Sequence, residues 1–315
     1  MDERICVTGM RLPYFLVLLY PATFTGKMTA EEINKDFKPI DIREVFRAKN
    51  PRTARLIPGF IYRYLHRALV IDEINEILRL HGHKKGFEFA EAVVDLFNVT
   101  LDVVGKEHLP EGGPFIIVSN HPLGGFDGVL IMQTIGEHYN RKYKVLVNDI
   151  LMNMKNMEGT FIPINKHGAQ AAENVRQIDA IFRSDDHVMT FPAGLVSRKR
   201  KGVIRDPEWK KNFITKAVQY KRDVIPVHIT GRCTNFFYNV ANLRKFLRIK
   251  ANLEMFYLPR ESFRHKNGHY ILTIGKPVPH QTFDKRFKPA EWAAMMRDHC
   301  YAIAKDPNRT FSVNH

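Results

Sequence analysis

From residue 114 onward the chain alternates short unbroken apolar runs with amphipathic helical stretches, and few folds accept that alternation. Pro114-Phe115-Ile116-Ile117-Val118-Ser119 follows Gly112-Gly113 and lacks the polar–apolar alternation of a half-exposed strand. It reads as a strand buried on both faces. Further strands are expected at Tyr143–Val147, His187–Phe191, Val224–Ile229, Leu253–Leu258 and Tyr270–Ile274. Helical periodicity at about 126–139, 168–183 and 207–220 separates several of them. Residues 289–305, with Trp292, Ala293, Met296 and Ile303 on one side, read as a closing helix. The expected fold is α/β: a mostly parallel mixed sheet flanked by helices over residues 99–305, with a tail at 306–315.

Residues 29–98 carry a different pattern. Leu56, Ile57, Phe60, Ile61, Tyr64, Leu65 and Leu69 recur at three- and four-residue steps, and Phe87, Ala90, Val93, Val94 and Phe97 continue them. Two or three amphipathic helices with basic faces are expected there. Residues 1–28 read as a separate segment. Met28 is a possible start of translation, since Thr29-Ala30-Glu31-Glu32 resembles a capped helix start. The apolar run Leu12–Tyr20, broken by Pro21, is shorter than the roughly 20 residues of a spanning helix.

The 315 residues are 44% hydrophobic, enough for a sizeable core, and carry a net charge of +15. That excess implies a polyanionic partner: nucleic acid, anionic lipid or an acidic carrier protein. No helix-turn-helix spacing, zinc-finger ligand set or aromatic RNA-binding strand accompanies it, which argues against nucleic acid. Cys6, Cys233 and Cys300 form no paired motif, so neither a disulfide framework nor a zinc site is suggested. His81 and His83, two apart in a polar loop, read as solvated, and no metal is expected.

The first strand runs into Ser119-Asn120-His121-Pro122-Leu123-Gly124-Gly125-Phe126-Asp127-Gly128. A histidine at the carboxyl end of a strand stands where open α/β sheets bind ligands. An aspartate six positions on, at a helix start, can curl back to the imidazole, fix its tautomer and free the other nitrogen as a general base. A structural histidine beside an N-capping aspartate would also explain the pair. No G-x-S-x-G elbow supplies a nucleophile, so such a base suits a substrate that brings its own hydroxyl.

Three later segments complete a series: Glu158-Gly159-Thr160-Phe161-Ile162-Pro163-Ile164-Asn165-Lys166, then Phe191-Pro192-Ala193-Gly194-Leu195-Val196-Ser197-Arg198, then Val224-Ile225-Pro226-Val227. In order and spacing these resemble the blocks N-H-x4-D, G-x-x-F-I-x-R, F-P-E-G-T-R-S and V/I-I-P-V of the PlsC-like glycerolipid acyltransferase family, over roughly residues 100–280. Here five residues separate His121 from Asp127, with Gly124-Gly125 absorbing the extra one. The arginine of the second block is missing, with Asn165 and Lys166 nearby. In the third block Ala193 replaces the glutamate and Val196 the arginine, leaving Arg198 two positions on. These features are similar to a subgroup labelled haemolysins, whose relatives include O-acyltransferases of ornithine and glycine lipid synthesis.

The resemblance implies that His121 deprotonates an acceptor hydroxyl, which attacks an acyl thioester, while Asp127 orients His121. It implies acceptor or donor contacts from Asn120, Gly124, Gly125, Asn165, Lys166, Gly194, Ser197 and Arg198, with oxyanion donors near Gly194. The expected acceptor is a lyso-aminolipid, an N-(3-hydroxyacyl) amino acid of bacterial membranes, whose carboxylate Lys166 or Arg198 would hold. The alternative is 1-acylglycerol-3-phosphate, although the missing arginine removes the planar fork that fixes a phosphate. No cofactor is expected, only a thioester of coenzyme A or, as partner, acyl carrier protein. Phe236, Phe237, Arg244, Lys245, Phe246 and Arg248 interleave aromatic and basic residues as an interfacial helix does. Membrane lipids are thus expected partners, and the location cytoplasmic, peripheral on the inner face of the cytoplasmic membrane. A lytic pore is disfavoured, for neither spanning helices nor repeated amphipathic strands are evident. The sequence carries no sign of oligomeric state.

Overall fold

The computed structural model describes residues 37–313, apart from 149, 150, 153, 165–170, 250 and 251. The segment 1–28, with its alternative start, and Asn165 and Lys166 lie outside the described residues. Among the described residues the amino-terminal part holds five short helices, more than the two or three expected: α1 (Ile42–Lys49), α2 (Pro51–Leu56), α3 (Gly59–Ala68), α4 (Ile71–His81) and α5 (Gly86–Phe97). The breaks are local. Pro51 and Pro58 cannot continue a preceding helix, and Val70 takes a left-handed φ of 48° between α3 and α4.

The sheet elements follow: β1 (Thr100–Val104), β2 (Ile116–Ser119), α6 (Phe126–His138), β3 (Tyr143–Val147), β4 (Phe161–Pro163), α7 (Ala171–Arg183) and β5 (His187–Thr190). Then come β6 (Arg198–Arg200), β7 (Val203–Arg205), α8 (Asn212–Tyr220), β8 (Val224–Ile229), α9 (Asn235–Phe246), α10 (Leu258–Phe263), β9 (His269–Ile274) and α11 (Pro289–Ile303). Seven strands form one sheet in the order β1-β9-β8-β2-β5-β3-β4. Every pairing is parallel except β8 with β9, so the fold is the mixed, mostly parallel α/β sheet expected from the sequence.

Every residue of β2 and β8 is buried, which is why both are predominantly apolar without a period-two alternation. Ile117 packs with α5 and α6 through Phe87, Val94, Leu130 and Ile131, while Ile116 and Val118 pack with Ile214 of α8 and Trp292 and Met296 of α11.

One expected strand is absent. Leu253–Tyr257 forms a tight 3₁₀ turn leading into α10, whose second residue is Pro259. Glu254, buried in the midst of this apolar run, turns inward to two arginines, and the proline favours a helix start. The basic run 198–201 opens a hairpin: β6 pairs antiparallel with β7. Its two turn residues, Lys201 and Gly202, both have positive φ (48° and 82°), the tight turn that matches strand twist.

Candidate active site

Strands β2, β5 and β8 run parallel, so the residues that follow them share one edge of the sheet. Asn120 ends the ladder between β2 and β8. Its side-chain oxygen accepts the Ile229 N–H at 2.8 Å, and its amide nitrogen donates to the Ile229 carbonyl at 2.9 Å. Asn120 is therefore a buried strand clamp, not the substrate contact expected, because both its polar atoms are used.

His121 comes next, and the turn behind it needs two left-handed residues, Gly124 (φ 73°) and Gly125 (φ 115°). A Cβ at 124 would stand 3.0 Å from Leu258 Cδ2, whereas one at 125 would meet nothing within 4 Å. This turn absorbs the extra residue and returns the chain as α6, with Asp127 in the first turn. The Asp127 carboxylate is wholly buried. It accepts N–H bonds from Leu123 (2.9 Å), Gly125 (3.2 Å) and Gly128 (2.9 Å), and both oxygens lie 2.9 Å from His121 Nδ1.

Such a cradle stabilises an anion at a helix N-terminus. Burial pushes the Asp127 carboxyl up, but the imidazole and the N–H groups of Leu123 and Gly128 outweigh it and leave it below its usual range. Burial by itself would lower the His121 imidazole. The charge and hydrogen bond of Asp127, aided by Asp206 and opposed by Arg198, raise it above its ordinary value. With Nδ1 on the carboxylate, Nε2 is the nitrogen left for chemistry. The Phe191 ring stacks on the imidazole at 4.3 Å, bringing the end of β5 to the histidine. Phe191 and Gly194 then close a turn through a 2.9 Å backbone bond. A Cβ at 194 would stand 2.8 Å from the Lys210 ammonium, so this cation lies over Gly194.

Two other expected contacts are spent inside the protein. The Ser197 hydroxyl is buried and donates to Asp206 at 2.6 Å. Arg198 is paired with Glu254 at 2.9 Å, with its side chain only 10% exposed, so its charge is not free for a substrate carboxylate. Asp206, Trp209 and Glu254 were not anticipated, and Lys210 reads in the sequence only as part of a basic segment for headgroups or carrier protein. Glu254 had a signal, an acid inside an apolar run; Asp206 had none beyond proximity to the basic segment.

The proposed interfacial helix divides in two. Phe246 (82% exposed), Phe236, Lys245 and Arg248 face outward, with Leu243 and Leu247 beside them. Phe237 is fully buried under the Arg198 guanidinium, and Arg244 pairs with Glu254 at 2.8 Å. The last two are corrected to internal residues, since they pack α9 onto the β6 hairpin. Outward apolar surface continues in Leu253 and Phe256, and Tyr257 joins Phe236 edge-on at 4.9 Å and hydrogen-bonds Tyr64 of α3. Among the described residues no helix is long and apolar enough to cross a membrane, and no group of three His, Cys, Asp or Glu side chains could hold a metal ion. Cys233 and Cys300 are buried free thiols. Cys233 donates its S–H to the Pro122 carbonyl at 3.4 Å beside His121, and burial pushes its thiol well up.

A family model described as Acyltransferase matches residues 44–306. The lyso-glycine lipid O-acyltransferase of Bacteroides thetaiotaomicron is 46% identical over 264 residues, 84% of this chain and 97% of that protein. An enzyme of the same name from Phocaeicola vulgatus is 44% identical over 264 residues, covering 84% of this chain and 95% of its own length. The crystal structure of PlsC, the 1-acyl-sn-glycerophosphate acyltransferase of Thermotoga maritima, aligns with a TM-score of 0.45 at 17% identity over 86% of this chain and 96% of that one. A family match across most of its length, with relatives this similar, makes this chain a member of the acyltransferase family, enzymes that transfer acyl groups.

Proposed function

We propose that the protein is an O-acyltransferase that moves a fatty acyl group from an acyl thioester to the hydroxyl of a lyso-aminolipid, with lyso-glycine lipid as acceptor. The observation that carries this reading is the 46% identity to a lyso-glycine lipid O-acyltransferase across 97% of its length. In the reaction His121 Nε2 takes the proton of the acceptor hydroxyl as the oxygen attacks the thioester carbonyl. A C–O bond forms, the tetrahedral intermediate collapses with loss of the C–S bond, and the imidazolium returns the proton to the departing thiolate. Asp127 keeps Nδ1 protonated and stabilises the imidazolium. What supports these roles is the buried carboxylate bonded to Nδ1 and the raised imidazole.

The acceptor carboxylate needs a cation. Arg198 being engaged by Glu254, Lys210 over Gly194 takes that part in our reading, with Lys166. The donor is the thioester of acyl carrier protein, an acidic partner for a chain of net charge +15. The outward face of α9 and of residues 253–257 meets the bilayer from the cytoplasmic side: exposed phenylalanines suit the acyl boundary and Lys245 and Arg248 suit anionic headgroups.

The test is lipid profiling of a host without aminoacyl lipids that is fed lyso-glycine lipid and expresses the protein or its His121→Ala variant. A diacylated glycine lipid made by the wild type and missing with the variant is expected. Phosphatidic acid formation instead would return the enzyme to glycerophospholipid assembly.

A further inference from the structure

The imidazole of His121 is held by Asp127, but its backbone is held by something else. Asp206 lies just beyond β7 and is buried. Its Oδ1 accepts the His121 backbone N–H at 3.2 Å and the Ser197 hydroxyl at 2.6 Å, and its Oδ2 accepts the Trp209 indole N–H at 2.9 Å. Ser197 in turn donates its own backbone N–H to the His121 carbonyl at 2.8 Å. Both backbone hydrogen-bonding groups of His121 thus end on one unit, Ser197 with Asp206. The unit is itself anchored, since the Asp206 N–H donates to the Tyr301 hydroxyl of α11 at 2.8 Å.

Every partner of the Asp206 carboxylate is a donor, which suits the ionised form and leaves nothing for a protonated oxygen to give to. Burial outweighs the three donors and leaves this carboxyl above its usual range, so it is the all-donor geometry that speaks for the anion. Its alternative as mere packing is poor: a buried carboxylate that served only to hold Trp209 would cost more than an amide or hydroxyl in its place.

We propose that Asp206 and Ser197 are positioning residues for the transfer reaction: together they fix the backbone of His121, and so set where Nε2 meets the acceptor hydroxyl. This rests on the reading of His121 as the base. A base displaced by about 1 Å loses on the order of 100-fold in rate, so geometry supplied through the backbone matters in addition to the bond to Asp127. The charged groups facing His121 are Asp127 of α6, Asp206 and Arg198 of β6; Cys300 and Tyr301 of α11 face Asp206 as neutral groups.

The experiment uses the full chain with Asp206→Asn and, separately, Ser197→Ala. Four quantities are measured: kcat and KM for lyso-glycine lipid, the titration of the His121 ring by NMR of histidine-labelled protein, and the melting temperature. Asp206→Asn removes an anion near the imidazole and turns one acceptor into a donor. It should lower kcat by about 10- to 100-fold, leave KM within about twofold, and move the His121 titration to lower pH. Ser197→Ala removes no charge and should lower kcat several-fold with the titration unmoved. Wild-type kcat and titration in Asp206→Asn would overturn the proposal. So would a lowered melting temperature with kcat and the titration unchanged, which is a structural role only. Should Asp206→Asn not fold, Ser197→Ala decides, and wild-type kcat there overturns it. Full turnover by His121→Ala would sink the base role itself, whereas the NMR titration reads the Asp206 contact independently of turnover.

Discussion

The floor of the site and its outer rim are built on opposite principles. On the floor, Asp127 and Asp206 are buried and their oxygens accept bonds from backbone, imidazole, hydroxyl and indole donors, so little is left to rearrange when charge develops on His121. On the rim, α9 and residues 253–257 leave Phe246, Leu247 and Phe256 open to solvent. One region is costly to disturb and chemically specific; the other is apolar, uncommitted and tolerant. Glu254 joins them, for its buried carboxylate holds Arg198 from the floor side and Arg244 from the rim helix. The contrast teaches that exposure, not motif membership, separates residues that act on a reaction from those that meet a surface: Phe236 and Phe237 are neighbours in sequence and belong to different regions.

The comparison breaks first at the base. His121→Ala should lower kcat by on the order of 10²–10⁴-fold with the melting temperature preserved; retention of more than a tenth of wild-type activity would remove His121 from the mechanism. Next, Asp127→Asn should cost about 100-fold or more and also change the pH profile. In the proposed mechanism the working base is neutral, so activity should fall as the pH drops through the His121 pKa. The Asp127 charge raises that pKa, which places the acid limb above the range of a free histidine. Removing the charge should shift the limb to lower pH, and a limb that stays in place would separate Asp127 from the base.

At the joint, Glu254→Ala strands two arginines that are mostly buried. A loss of about 3–5 kcal/mol is expected, seen as a melting temperature lower by about 10 °C; an unchanged melt would mean that floor and rim are independent. At the rim, Phe246→Ser with Phe256→Ser should weaken binding to anionic vesicles about tenfold while leaving turnover of detergent-dispersed substrate intact. The smallest effect is expected of Lys245→Ala or Arg248→Ala, about 1 kcal/mol each on anionic vesicles, vanishing in high salt. Vesicle binding that ignores all four changes would move the membrane face elsewhere.

Much of this arrangement was legible in the sequence because it is periodic or local. The continuous run at 114–119 announces a strand buried on both sides, and the Gly124-Gly125 turn announces a histidine and an aspartate brought together. What escaped was long-range and singular. Asp206 lies 85 residues from the backbone N–H that it holds, and Glu254 lies 56 from Arg198, separations at which no spacing rule operates. Arg198 looked available because basic runs are usually solvated, and only the sheet hairpin and the turn at 253–257 bring its partner to it. Asn120 looked like part of a reactive motif, yet its side chain completes a ladder that the sequence does not display.

The state of Cys233 bears on the fidelity of the enzyme. A thiolate beside an activated acyl group is itself an acceptor, and self-acylation would consume donor and block the site. The Cys233 sulfur stands one carbonyl away from the residue after His121, yet it is kept as a buried thiol engaged with Pro122, far from ionising. In the proposed reaction, a chain that handles thioesters would thus carry a cysteine next to its base without becoming its own substrate.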